Sequence, residues 1–176
     1  MAPINQTFQS APMGKRVILT TVISVVVTTG AIAVNLCFAL PRMHAAPMNK
    51  VVLSALVPFL TVVMGMLFFI RQRSLVSQFK IEEDVLVVGK KKYPLVGATE
   101  VVRDSAVLKG AYRRYGNGGL GAITGSFKSK KLGKFYAFMT GTENAVVVRW
   151  PNQAVAVSPS DPEFFILSAR KAAGLG

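Results

Sequence analysis

Few side chains in this sequence could move a proton, hold a metal or attack a substrate. There is one histidine, His44, and one cysteine, Cys37. A metal centre needs several His, Cys or carboxylate ligands at set spacing, and no such cluster exists here. Cys37 sits among apolar residues and reads as a packing residue with an unactivated thiol. His44 falls in a short segment between two apolar runs and reads as solvated or interfacial. Glu82-Glu83-Asp84 is the closest approach to paired carboxylates. Adjacent residues on a strand point to opposite faces, whereas acid–base work needs convergent groups with displaced pKa values. This triplet reads as a solvated turn, and Glu100, Asp104 and Glu143 as isolated charges.

The glycines Gly116, Gly118, Gly119, Gly121 and Gly125 invite comparison with a phosphate-binding loop. No Gly-Lys-Ser/Thr follows them, and no strand-to-helix crossover surrounds them. They are expected to form a structural loop at a barrel edge, where glycine tolerates positive φ and close backbone approach. The sequence therefore predicts no enzyme, no bound metal or cofactor, and no small-molecule substrate.

The chemistry that remains is charge. No acid lies between Asp104 and Glu143, an interval holding Lys109, Arg113, Arg114, Lys128, Lys130, Lys131 and Lys134 among aromatic residues. Lys90, Lys91 and Lys92 form a second cluster, expected on a hairpin turn. Such cations favour an anionic membrane surface, each contributing about 1 kcal/mol near it. A solvated basic face or contact with an acidic protein would use the same residues. Nucleic acid is the weaker partner for a domain held beside lipid.

The elements that carry these residues divide the chain near residue 70. Only 16% of the 176 residues are charged, against about a quarter in a typical soluble domain. The first 70 residues contain no acid and four bases, Lys15, Arg16, Arg42 and Lys50. The remaining 17 bases and eight acids give the rest a net charge of +9. Residues 17–40 and 51–70 are free of charge, each long enough to cross a bilayer, which takes about 20 apolar residues. The first run exceeds the usual signal-peptide core of about 7–15 residues, and a second follows at once.

A transmembrane helical hairpin over 15–74 is expected, after an N-terminal tail at 1–14. Thr21, Ser24, Thr28, Ala31 and Asn35 share one helix face, as do Ser54, Pro58, Thr61 and Gly65. Such small and hydroxylated faces suit helix–helix packing or contact with another subunit; hydroxyls bonded to their own helix are the alternative. Pro58 should kink or loosen the second helix. Five basic residues flank the spans on the side of the termini, against two in the loop. This bias predicts both termini and the C-terminal domain on the cytoplasmic side.

From 75 to 176 the pattern predicts a β-rich domain. Val85–Val88, Thr99–Arg103, Lys134–Phe138, Ala145–Arg149 and Ala154–Val157 read as strands in antiparallel meanders. A helix over about 161–173 closes the chain. Asp161 is its expected cap, with Pro162 at the first helical position; a Ser160–Glu163 capping box is a competing register. Phe165, Ile166, Ala169 and Ala172 share one face.

Tyr115-Gly116-Asn117-Gly118-Gly119-Leu120, Gly125-Ser126-Phe127, Leu132-Gly133-Lys134-Phe135-Tyr136-Ala137, Asn144–Val148 and Val157–Glu163 form an ordered set. Together they resemble the bacterial pleckstrin-homology (PH) domain family, in the branch preceded by two transmembrane helices. The resemblance implies an α+β membrane protein with a PH-like split β-barrel and a C-terminal helix, in a bacterial inner membrane. The expected function is a non-enzymatic, membrane-anchored interaction module, a subunit or scaffold of a membrane protein complex. A sensor of anionic lipid head groups is one alternative. An accessory subunit of a transporter or membrane enzyme is the other.

Overall fold

The computed structural model describes residues 5–39 and 48–175, and the side chains among them except those at 36, 38–39 and 48–55. The segment with Pro41, Arg42, His44 and Pro47 lies outside the described residues, as do the side chains of Lys50 and Ser54.

Helix α1 spans Lys15–Ala39 and α2 spans Met48–Leu75, running through Pro58. Hydroxyl groups inside these apolar helices are satisfied locally. Thr20, Thr21, Thr28 and Thr61 each donate to the carbonyl four residues back, at 2.7–2.9 Å, so these four hydroxyls need no water. Large apolar side chains along both helices, from Ile18 to Val34 and from Leu56 to Ile70, are 43–64% exposed. Both helices are long and apolar enough to cross a membrane.

The β structure forms two sheets. The first has the order β1-β2-β3-β4, with β1 Asn5–Gln9, β2 Gln78–Glu82, β3 Val85–Val88 and β4 Lys91–Pro94, all antiparallel. The stretch expected as an N-terminal tail thus contains a strand, which places Phe8 opposite Phe79. Glu83 and Asp84 turn the β2–β3 hairpin with φ of 48° and 64°. A two-residue hairpin favours such left-handed pairs because they match strand twist.

The second sheet has the order β5-β9-β10-β8-β7-β6. Its strands are β5 Glu100–Arg103, β6 Tyr112–Gly118, β7 Ile123–Ser129, β8 Gly133–Met139, β9 Val146–Trp150 and β10 Gln153–Val157. The expectation of antiparallel meanders fails at one place. The β9–β10 hairpin inserts between β5 and β8, so β10 runs parallel to β8, with Val155 beside Tyr136. Among the described residues the two sheets share no strand ladder and meet at an isolated bridge between Ser10 and Pro159, so they do not close into a barrel.

Helix α3, Pro162–Ala173, covers the open side. Asp161 Oδ1 accepts from the Phe164 N–H at 3.0 Å, which selects the Asp161 register over the Ser160 capping box. Gly174 ends the helix in the left-handed conformation. Phe165, Ile166, Ala169 and Ala172 are buried. They join Phe8, Phe79, Ile81, Leu86, Val101, Val148 and Val155 in the core between the sheets. A second apolar cluster lies on the outer face of the larger sheet. Phe127, Phe135, Ala137 and Met139 are covered there by Val107 and by Val17 at the start of α1.

Candidate functional site

Two features stand out where the helices meet the sheets. The first is the glycine-rich hairpin. Gly116 and Gly118 lie in β6 and Gly125 in β7, so only Gly119 and Gly121 belong to the turn itself. This corrects the single loop expected from the sequence. Gly116 faces Gly125 across the ladder, and a methyl group on either would strike the partner strand's backbone. Asn117 organises the turn, accepting from the Gly119 and Leu120 N–H groups and donating to the Leu120 carbonyl at 2.6 Å.

The turn seats against both helices. The Gly121 N–H donates to Thr21 Oγ1 of α1 at 3.1 Å. A Cβ on Gly119 would lie 3.2 Å from Thr20 Oγ1, and one on Gly121 would lie 2.8 Å from the Phe69 ring of α2. Thr124 Oγ1, just past the turn, donates to Gln72 Oε1 at 2.5 Å, and both residues are buried. The N-terminal segment is fastened too. Thr140 Oγ1 donates to the Ala11 carbonyl at 2.7 Å, the Ala11 N–H to Ser158 O at 2.8 Å, and the Gly14 N–H to Thr140 O at 2.8 Å.

The second feature is a cationic and aromatic seam where β4 faces β6–β8. Tyr115, Ser126 and Tyr136 are direct partners across β6, β7 and β8, so their side chains share one face. Lys134 lies on that face too, two residues from Tyr136. Its Nζ is 5.7 Å from the Tyr136 ring centre. Lys91 reaches over from β4, with Nζ 4.6 Å from the Tyr136 ring centre and 5.5 Å from that of Phe138. Cations over ring faces are held by the ring quadrupole. Tyr93 packs behind, with ring centres 6.4 Å from Phe138 and 6.3 Å from Trp150.

The phenols differ. Burial pushes Tyr93 up to about 12, helped by Tyr136 and Tyr115 nearby. The Tyr115 phenol is held below the ordinary tyrosine range, first by the Tyr136 phenol beside it, then by Ser126, Lys91 and Lys134.

The other sequence-predicted residues scatter. Lys90 is in the β3–β4 turn, while Lys91 and Lys92 belong to β4. Arg113 packs along Gly118 on the opposite face of β6, and Arg114 is exposed at a bulge between Arg113 and Tyr115. Lys128 is the exception, pairing in register with Lys134 and so lying on the seam face beside it, whereas Lys130 is exposed in the β7–β8 turn region. Lys131 Nζ donates to Asp104 Oδ2 at 2.7 Å, and Arg149 pairs with Glu100 at 3.2 Å, so neither acid is isolated. On α1, Thr21, Ser24 and Thr28 are half-buried, while Ala31, Asn35 and Cys37 are exposed. On α2, Pro58 is half-buried, and Thr61 and Gly65 are exposed. Sequence reasoning missed Thr20, Phe69, Gln72, Tyr93, Ser126 and Tyr136. Each acts through a partner distant in the chain; Ser126 and Tyr136 stood in the family motifs without a role of their own.

A family model described as "Bacterial PH domain" matches residues 83–172, which is 90 of the 176 residues. The chain belongs to the bacterial PH domain family. This agrees with the resemblance carried by the motifs between Tyr115 and Glu163. No curated protein and no solved structure matches it. The bacterial PH domain match begins within the β2–β3 turn and ends inside α3. It therefore contains both the glycine hairpin and every residue of the seam. Strands β1 and β2 and the two apolar helices lie outside it. A bacterial PH domain suggests an interaction module, and the seam lies wholly within the matched residues.

Proposed function

We propose that this bacterial PH domain protein is a non-enzymatic interaction module anchored by a two-helix transmembrane hairpin, and a subunit or scaffold of a membrane protein complex. The observation that carries the reading is the outward apolar surface of α1 and α2. Side chains such as Leu19, Val26, Val27, Phe59, Met64 and Met66 are 60–64% exposed. So large a continuous apolar surface has no favourable place in water and suits hydrocarbon. The charge-free runs point the same way, since a helix carries its backbone hydrogen bonds within itself across lipid.

Strand β1 supports a single-sided arrangement. It precedes α1 yet pairs with β2, which follows α2. Both ends of the hairpin then lie on one side of the bilayer, with the domain, and the basic flanks favour the cytoplasmic side of a bacterial inner membrane. The domain is coupled to its anchor through Thr21, Phe69 and Gln72, so that it faces lipid and neighbouring membrane proteins in a fixed orientation. Its exposed basic residues favour an anionic leaflet.

Two measurements test this. Carbonate washing of bacterial membranes should leave the full-length protein in the pellet; release into the supernatant overturns the anchoring. With Cys37→Ala removing the native thiol, a maleimide that cannot cross the membrane should label Ala45→Cys from the outside and leave Ser160→Cys unlabelled. Outside labelling of Ser160→Cys overturns the orientation. Cross-linking followed by purification in mild detergent should then recover a recurrent membrane protein partner.

A further inference from the structure

We propose that the open edge of β6 is a docking site for an extended acidic segment of a neighbouring membrane protein, which adds to the six-stranded sheet as a further strand. That the neighbour shares the bilayer rests on the reading above; the strand addition rests on β6 itself.

The two sheets present β1, β4, β5 and β6 as edges. Helix α3 lies along β5, where Arg170 Nε donates to the Val101 carbonyl at 3.1 Å. Strand β4 has four residues and ends at Pro94, which lacks an N–H and whose carbonyl accepts from Trp150 Nε1 at 2.9 Å. Strand β1 has five residues, and its Gln9 carbonyl accepts from the Ser160 N–H at 2.9 Å. Strand β6 has seven. Among the described residues only β7 bonds to its backbone, so a row of N–H and C=O groups faces outward. Such a row is a template for another strand.

The side chains select what the incoming strand carries. Tyr112 and Tyr115 pair with Lys128 and Ser126 and so share a face, brought there by the bulge between them; they are 58% and 55% exposed. On the opposite face Arg113 is followed only by Gly116 and Gly118, and its guanidinium lies over Gly118. A strand alternating apolar and acidic residues sets the first beside the tyrosines and the second beside Arg113. Arg113, Arg114 and Lys128 have no carboxylate partner among the described residues, where the ion pairs use Lys80, Arg103, Lys131 and Arg149. A second copy fits poorly. Strand β6 ends at Gly118, and Gly119 lies against Thr20 of α1, so β6 runs toward the bilayer. Copies anchored alike send both strands the same way, which excludes antiparallel pairing of one β6 with another, and their arginines repel. The bulge guards the edge against long sheet-to-sheet pairing, whereas a short pliant segment can follow it. A chain rising from the bilayer beside the helices lies along β6 by the same direction.

The test uses the full-length protein in neutral detergent micelles with short synthetic peptides as probes. One alternates valine with glutamate and one alternates valine with lysine. A further acidic peptide has prolines in place of some valines, which removes N–H groups a ladder needs. Binding is read by fluorescence anisotropy and by amide hydrogen exchange. The alternating acidic peptide should bind and slow exchange along β6, and the other two should bind at least about tenfold more weakly. Arg113→Glu with Arg114→Glu should weaken the acidic peptide about tenfold. Lys90→Glu with Lys171→Glu makes the same change of charge elsewhere and should alter binding less than about twofold, as for exposed charges. Equal binding of the proline peptide reduces the contact to charge and overturns strand addition. Protection at β1 or β4 in place of β6, equal losses from the two charge reversals, or no binding overturn it too. In bacterial membranes, with Cys37→Ala in place, a Tyr115→Cys protein should stay monomeric on oxidation; a covalent dimer assigns the edge to a second copy and overturns the proposal. Peptide binding in micelles needs no bilayer, so its failure is distinguishable from failure of the carbonate and labelling tests.

Discussion

Thr124 Oγ1 donates to Gln72 Oε1 at 2.5 Å, joining strand β7 to helix α2. Gln72 is only 8% exposed and Thr124 5%. The pair, with the Thr21–Gly121 bond, ties the domain to both helices. Removing one partner should therefore cost more than removing both. Gln72→Ala leaves the Thr124 hydroxyl buried and unpaired and is expected to destabilise by about 1–3 kcal/mol. Thr124→Val with Gln72→Leu should recover part of that loss. A double-mutant cycle on unfolding in detergent measures the coupling, and additive losses would contradict it.

The glycine ladder gives a sharper contrast. Gly116 and Gly125 have φ of 107° and 130°, and each abuts the other strand's backbone. Alanine at either is expected to cost about 2–4 kcal/mol, combining backbone strain with overpacking. Gly133 also has positive φ, 63°, but opens onto free space. Gly133→Ala should cost only about 1 kcal/mol. Comparable thermal shifts for Gly116→Ala and Gly133→Ala would contradict the close approach.

The β2–β3 turn offers a stabilising change. Asp84 adopts φ of 64° without being glycine. Asp84→Gly relieves that strain at some cost in chain entropy, for a net gain of about 0.5–1 kcal/mol. Denaturant midpoints of the two proteins compare them directly.

Alkaline pH should separate the tyrosines. Tyr93 keeps its proton in the folded state to about 12, above its ordinary value of 10.0. Its contribution to stability is complete below pH 10.0 and declines as pH rises from there toward about 12, because the unfolded chain alone releases the proton. Tyr93→Phe should flatten that decline relative to the parent protein. In ultraviolet titration the phenolate of Tyr115 should appear before that of Tyr93.

Much of this architecture could be read from local pattern. Strand β3 matches the Val85–Val88 run residue for residue. Helix α3 buries the four residues its periodicity selects, because an amphipathic stripe and a cap are short-range signals. What escaped is what depends on distant partners. Strand β1 offers one buried residue, Phe8, among polar neighbours, and becomes a strand only because β2 arrives beside it. Strands β6 and β7 contain glycines, which ordinarily weaken strands; here they permit a contact no other residue allows. The parallel β8–β10 pair follows from insertion of the β9–β10 hairpin, which hydrophobic alternation cannot signal. The seam was half legible. Lys91 and Lys134 lay within basic clusters, but Ser126 and Tyr136 gain meaning only from the register that aligns them.

Strand β1 also sets an order of events during synthesis. It leaves the ribosome before either helix, and β2 follows only after both are complete. Phe8 must therefore wait, without its neighbour Phe79, while the intervening chain is delivered to its destination. The first sheet gains that edge only after both helices have been made, so a chain stalled before β2 carries an unmatched nascent strand.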